Sequence, residues 1–396
     1  GLLISGPVYF GDRGSLAESL IEFIANDPEL KAAMRGRLYG GIAVGAKRNG
    51  GQETALIYQM IDMVNLGFLA VGNDSDTTAQ YGGTGHAGDV GTMHKDSYGI
   101  DTSMGTGRRM ARVLKHLGSR TLRDAPKALF LILQDADGIA ARTVDRLVTR
   151  FHNMHATVLN LTGRHITRCI ACNICPSRTG LDEEYGCAIA SEADSFSSLH
   201  RDFLDHDLIV PVGVLPQAPV AGSRYQLFLE RTRYLRHADY VWSDVLVAPL
   251  VLEEPGDYRT LPARMITSLI RQHTVMTKPM IGYLQNGAVI NQEHIEGDFL
   301  RALDFAARLA AGRLVLAKET AIMRHYNPVG FILAADKDNE DQRLERRRDP
   351  GEARRDRLVA EAERRLERRS QSRDTGGPPY AEHMPRRRAE DAEMPK

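Results

Sequence analysis

Tyr39 to Gln52 reads YGGIAVGAKRNGGQ, and Ser5 to Gly14, one helical stretch earlier, reads SGPVYFGDRG. Each starts as an apolar run, breaks into a glycine-rich polar loop and is followed by a helical pattern. A parallel strand presents a ligand loop at its carboxyl end in this way. The earlier loop offers Pro7, Tyr9, Phe10 and Gly11, an aromatic wall with little side chain between. The later one offers Ala46, Lys47, Arg48, Asn49, Gly50, Gly51 and Gln52, with exposed backbone N–H groups and two cations. Adjacent parallel strands put such loops side by side, and the pair suits a flat, electron-accepting ring system.

Working outward, the first stretch alternates strand and helix: a strand from Gly1, a helix over Leu16 to Ile24 capped by Ser15, a strand over Leu38 to Val44, a helix over Glu53 to Asn65 and a strand over Gly67 to Val71. That is βαβαβ logic, which implies right-handed crossovers and a parallel sheet. A long glycine-rich segment, Asn73 to Gly107, follows and leads into a helix starting near Thr106. Loops of that length in compact domains are usually functional. The chain opens already inside a strand, so the expectation is a partial first domain over residues 1–118, with its first strands missing. A complete second domain is expected over 126–312 and a charged, largely disordered tail over 336–396.

SGPVYFGDRGS resembles the third-strand loop of the flavodoxin-like NAD(P)H-dependent FMN reductases and quinone reductases, whose pattern is Ser-x-Pro-x-Tyr-x-Gly, and GAKRNGGQE resembles their fourth-strand loop. The resemblance implies flavodoxin-like α/β parallel sheets with helices on both faces. FMN would be held by the residues named above, with NAD(P)H as hydride donor. It also implies that the loop after the fifth strand closes over the flavin edge, a role that falls here on Tyr81, Gly82, Gly83, Thr84 and His86. The phosphate-wrapping first-strand loop of that family has no counterpart ahead of Gly1. The expectation is therefore weak FMN retention and a bare sheet edge prone to association, which leaves a homo-oligomer open.

The second stretch repeats the alternation: strands over Ala128 to Gln134, Ala156 to Leu161, Leu208 to Leu215, Val245 to Leu252 and Pro279 to Leu284, with helices over Ile139 to His152, Phe196 to Leu204, Tyr225 to Arg236, Pro262 to His273 and Gly297 to Ala311. Its first-strand loop carries Asp135 and Asp137, which would repel a phosphate, with only Gly138 and Thr143 favourable. Flavin is therefore expected in the first domain alone. The only four cysteines, Cys169, Cys172, Cys175 and Cys187, lie in one stretch, Cys-x2-Cys-x2-Cys-x11-Cys. Their spacing suits a 4Fe-4S cluster, zinc or free thiols. The stretch is similar to the compact motif of the iron-sulfur flavoproteins, though its last gap is longer, which leaves Cys187 open as a ligand.

Formal net charge is zero, so no electrostatic case exists for nucleic acid or an anionic membrane as the main partner. No apolar run approaches a membrane span, and clustered cysteines argue against a disulfide framework; the cytoplasm is the expected compartment. Taken together, the residues and the resemblance imply an FMN-dependent NAD(P)H oxidoreductase reducing a flavin, quinone or similar small acceptor. Two alternatives remain: an iron-sulfur flavoprotein passing electrons to a protein partner, and a non-catalytic scaffold with a vestigial flavin site. No acid–base catalytic residue is identifiable, since hydride transfer needs geometry more than proton donors.

Overall fold

The computed structural model describes residues 1–74, 80–89, 91–118, 125–170, 187–215, 218–236, 241–255 and 260–317, together with Arg364. The charged tail, Cys172 and Cys175 lie outside the described residues. The first half runs β1 (Leu2–Tyr9), β2 (Asp12–Arg13), α1 (Ser15–Asn26), α2 (Pro28–Met34), β3 (Leu38–Gly45), α3 (Gln52–Asn65), β4 (Leu69–Ala70), β5 (Gly83–His86) and α4 (Ser97–Leu117). The second runs β6 (Lys127–Ile132), α5 (Ile139–Arg150), β7 (His155–Asn160), α6 (Ser195–Ser198), β8 (Leu208–Val214), α7 (Ala218–Arg231), α8 (Arg233–Arg236), β9 (Leu246–Val247), β10 (Leu250–Glu253), α9 (Leu261–Leu269), β11 (Val275–Met276), β12 (Met280–Gln285), β13 (Ala288–Val289) and α10 (Gln292–Ala317).

All strands belong to one 13-stranded mixed sheet with helices against it. In the second half β8 is central: one edge pairs in parallel with β6, the other with β9 and then β10, and all seven of its residues are buried. A strand buried on both faces carries continuous apolar residues, which is how LIVPVGV reads. β7 adds outside β6, while β11 and β12 add outside β9 and β10. Numbering strands by order of appearance gives 2-1-3-4-5, the doubly wound order. In the first half β3 lies between β1 and an edge shared by β4 and β5, with β4 on its first residues and β5 on its last.

The halves meet through β4 and β11, which pair antiparallel at Ala70 and Met276. Apart from the antiparallel hairpin partners β2 and β13 at the outer ends, the strands within each half run parallel, so this pairing reverses one half against the other. The carboxyl-end loops of β1, β3 and β5 therefore open at one edge of the sheet, and those of β6, β8 and β10 at the opposite edge. Both cores run through the junction. One joins Ile4, Met60 and Phe68 to Phe203, Val247 and Leu269; the other joins Leu38 and Val113 to Phe130, Val210 and Phe299. At the same junction the fully buried Arg109 of α4 ion-pairs with Asp244 and donates to the His273 carbonyl. Arg112 Nε and His116 Nε2 approach the same carboxylate at 3.1 and 3.3 Å.

Several sequence expectations need correction. Asn73 to Gly107 is not one long loop: Gly83–His86 is a strand and α4 begins at Ser97, well before Thr106. The glycines that read as loop are there because the layers touch. A Cβ at Gly83 would stand 2.6 Å from Ser103 Oγ, and one at Gly99 2.8 Å from the Gly85 Cα. Gly14, not Ser15, is the cap of α1, and α2 follows Asp27, whose carboxylate accepts from the Glu29 and Leu30 N–H groups. Phe196 to Leu204 is a short helix and a 3-10 turn, with the Phe203 carbonyl taken by Trp242 Nε1 at 2.8 Å.

Candidate functional site

β1 and β3 are parallel neighbours, registered Pro7 against Val44 at their carboxyl ends, and the two loops leave the sheet together. A Cβ on Gly51 would lie 2.6 Å from the Gly11 Cα and 3.3 Å from Val8 Cγ1. The loops thus abut through glycine backbone. Phe10, Gly11, Asn49 and Gly51 all have positive φ, at 52°, 81°, 52° and 98°. Such left-handed residues turn successive N–H groups into a concave nest. Tyr9 is 60% exposed and Phe10 fully so, while a Cβ at Gly11 would meet nothing within 4 Å. Pro7, Ala46, Lys47, Asn49 and Gly50 are also exposed. The corner is open and carries exposed aromatic side chains at the start of α3, where the helix dipole favours negative charge.

Two of the expected ligand residues face inward. Gln52, 3% exposed, donates from Nε2 to the carbonyls of Lys47 (2.7 Å) and Gly85 (3.0 Å), and its Oε1 accepts from the Gly50 N–H at 2.7 Å. It staples the 46–51 loop to β5. Arg48 donates to the Thr84 carbonyl at 3.0 Å, ion-pairs with Asp96 and stacks 4.7 Å above the Tyr98 ring. Its charge is already matched, which leaves Lys47 as the exposed cation of the loop. Asp96 and Tyr98 escaped the sequence reading. Asp96 accepts from the His86 N–H at 2.8 Å and is the residue that precedes α4, a start signal hidden by the glycines after it.

The residues expected to cover a ring edge lie in and just before β5. Gly82, Gly83 and Thr84 are buried, with β5 paired to β3 from Gly83 to His86. Tyr81 packs with Val8 against Ala43, Ala55 and Leu56, beneath the loops. These residues lie along β3, where β5 completes the broken edge strand begun by β4. His86, half-buried, ends that strand beside the Arg48 loop.

Of the cysteines, Cys169 and Cys187 are described, both free and half-buried. The flanks of their stretch are clamped by the fully buried Arg231–Asp194 pair at 2.8 Å. Arg231 also donates to the carbonyls of Thr167 (2.8 Å) and Ile189 (3.1 Å), and Asp194 accepts from the Thr167 N–H at 2.7 Å. Ile170 and Ile189 meet in a small cluster with Cys187 against it. Among the described residues no group of three or more His, Cys, Asp or Glu side chains could hold a metal, and no helix is long and apolar enough to cross a membrane.

No protein-family model matches the chain. It is 35% identical over 115 residues, 29% of its length, to an iron-sulfur flavoprotein of Methanocaldococcus jannaschii, and it spans 58% of that relative. Among solved structures, a WrbA-like flavodoxin from Agrobacterium tumefaciens covers 48% of this chain and 99% of its own, at 10% identity and a TM-score of 0.29. An NADPH-quinone reductase from P. pentosaceus covers 45% and 97%, at 8% identity and 0.28. The azoreductase AzrA covers 47% and 99%, at 15% identity and 0.27. Those TM-scores carry no further argument. The chain is thus related at low identity to the iron-sulfur flavoproteins over part of its length, and its mixed α/β sheet has flavodoxin-like strand order in the second half.

Proposed function

We propose that the chain is a flavin-dependent oxidoreductase whose β1–β3 corner holds the ring of FMN. In this reading it takes hydride from NAD(P)H and passes it to a small acceptor such as a flavin or quinone. The observation that carries the reading is the abutment of Gly11 and Gly51, which joins the two loops through glycine backbone beside exposed Tyr9 and Phe10. Bound there, the isoalloxazine would supply the hydride-accepting ring. The chain's own part is to position and to polarise. Tyr9 and Phe10 supply apolar face contact, and the N–H groups of Asn49 and Gly51, with Lys47, meet negative charge developing on the ring. Gln52, Arg48 and Asp96 hold that loop rigid, so little reorganisation is needed when charge builds.

Gly51→Val tests this by adding a side chain where the loops touch. We expect wild-type protein to quench flavin fluorescence on FMN titration and then to oxidise NAD(P)H. The variant should bind FMN at least tenfold more weakly with an unchanged far-UV circular dichroism spectrum. Equal binding by both proteins, or none by wild type, would end the reading.

The similarity to an iron-sulfur flavoprotein favours a second reading in which the cysteines hold a 4Fe-4S cluster and electrons pass onward to a partner. Cys169 follows β7, whose carboxyl end lies at the sheet edge opposite the β1–β3 corner, so no step of the hydride transfer is assigned to the cysteines. Iron, sulfide and zinc analysis of anaerobically purified protein distinguishes cluster, zinc and free thiols.

A further inference from the structure

In a 2-1-3-4-5 sheet the ligand crevice lies outside the carboxyl ends of the strands, where the order reverses. In the second half that point falls between β6 and β8, and the loop from Leu133 to Gly138 leads from β6 into α5. The first N–H groups of α5 are where a nucleotide phosphate would sit. They are already occupied. Asp135, 7% exposed, folds its carboxylate over the helix start: Oδ1 accepts from the Ala140 N–H at 3.0 Å and Oδ2 from the Ala141 N–H at 2.8 Å. Its own N–H donates to Thr162 Oγ1 at 2.9 Å, tying the loop to the segment after β7. Thr143, the hydroxyl nearest the helix start, turns back to the Ile139 carbonyl at 2.8 Å. Gly138, at φ +70°, and Arg142, donating to the Asp137 carbonyl at 3.0 Å, close the loop on itself.

We propose that Asp135 is a built-in occupant of the second half's phosphate seat, so that this corner takes up neither flavin nucleotide nor free phosphate and, among the described residues, one flavin site at most remains. A phosphate entering here would have to break two charge-assisted hydrogen bonds and then lie against the carboxylate it displaced, which like-charge repulsion opposes. The corner fits an internal anion and does not fit the cofactor that the strand order suggests. The inference deepens the flavin reading by restricting it to the β1–β3 corner, yet it stands on α5 alone.

The test follows the Ala140 and Ala141 amide signals in full-length protein labelled with 15N-alanine, titrated with FMN and separately with inorganic phosphate. In wild type both signals stay fixed through millimolar concentrations of either. In Asp135→Ala, which vacates the seat, both shift with phosphate and saturate. Asp135→Asn keeps the shape and loses one acceptor; it should respond to phosphate more weakly than the alanine variant and serves alone if that variant does not fold. Shifts of either amide in wild type would overturn the proposal. So would silence of both amides in every folded variant, since something other than Asp135 would then close the corner. If the β1–β3 corner binds no flavin, wild type binds none at all, and the amide titration still decides the role of Asp135.

Discussion

Gln52 illustrates how a residue that looks like a ligand contact serves as a brace. Its buried amide satisfies two carbonyls and one N–H from two different segments. Truncation would strand those groups, and a buried unsatisfied polar group costs about 1–3 kcal/mol. Gln52→Ala is therefore expected to lower stability by roughly 2 kcal/mol and to weaken FMN binding without removing any ring contact. Urea unfolding and flavin titration on the same preparation check this. A variant of native stability with native affinity would show that the loop needs no staple. Arg48 carries the same lesson: its pairing with Asp96 and stacking on Tyr98 turn an apparent anion-binding cation into part of the scaffold.

At the level of elements, β5 and α4 show why glycine-rich sequence misled. GTGH has no apolar alternation, and Gly99, Gly105 and Gly107 lower helix propensity, yet both segments are regular. Close approach of helix to strand demands the missing side chains. Gly99→Ala offers a direct test because two effects oppose each other. Alanine improves intrinsic helix propensity by about 1 kcal/mol. Its Cβ would stand 2.8 Å from the Gly85 Cα, where backbone cannot yield cheaply. Overpacking costs about 1–3 kcal/mol, so the net change is expected to be destabilising. A rise in the urea midpoint of Gly99→Ala would mean that the layers are looser than this spacing implies.

For the molecule as a whole, the shared sheet and two continuous cores make the halves one cooperative body, with the Arg109–Asp244–His116 cluster at the seam. His116 is 2% exposed, and burial, then the positive charges of Arg112, Arg109 and Arg313, push its pKa down to about 4. The folded protein therefore binds this proton less readily than the unfolded chain, whose histidine titrates at about 6.5. The stability that the neutral ring contributes is fully present above that value and is lost as pH falls from about 6.5 toward 4, by roughly 3 kcal/mol. Burial lowers His200 and His206 in the same direction. Urea unfolding followed by the fluorescence of the buried Trp242 should show this loss, reduced in His116→Asn. An equal pH dependence in the variant would place the titrating group elsewhere.

Local pattern and glycine punctuation were enough to read the alternation of strand and helix, the parallel pairing of β1 with β3 and the adjacency of their loops. Each of these depends on periodicity or on residue chemistry within a few positions, which a linear string preserves. Tertiary structure alone decided that β4 and β11 join both halves in one sheet, that the carboxyl ends of their strands face opposite ways, that Tyr81 packs against Ala43, Ala55 and Leu56, and that Arg48 and Gln52 point inward. The partners involved are far apart in the chain: Asp96 for Arg48, Gly85 for Gln52, Met276 for Ala70, Asp244 for Arg109. Pairing across such separations is chosen by packing and by the need to match every buried polar group, and neither condition leaves a local pattern in the residues that meet.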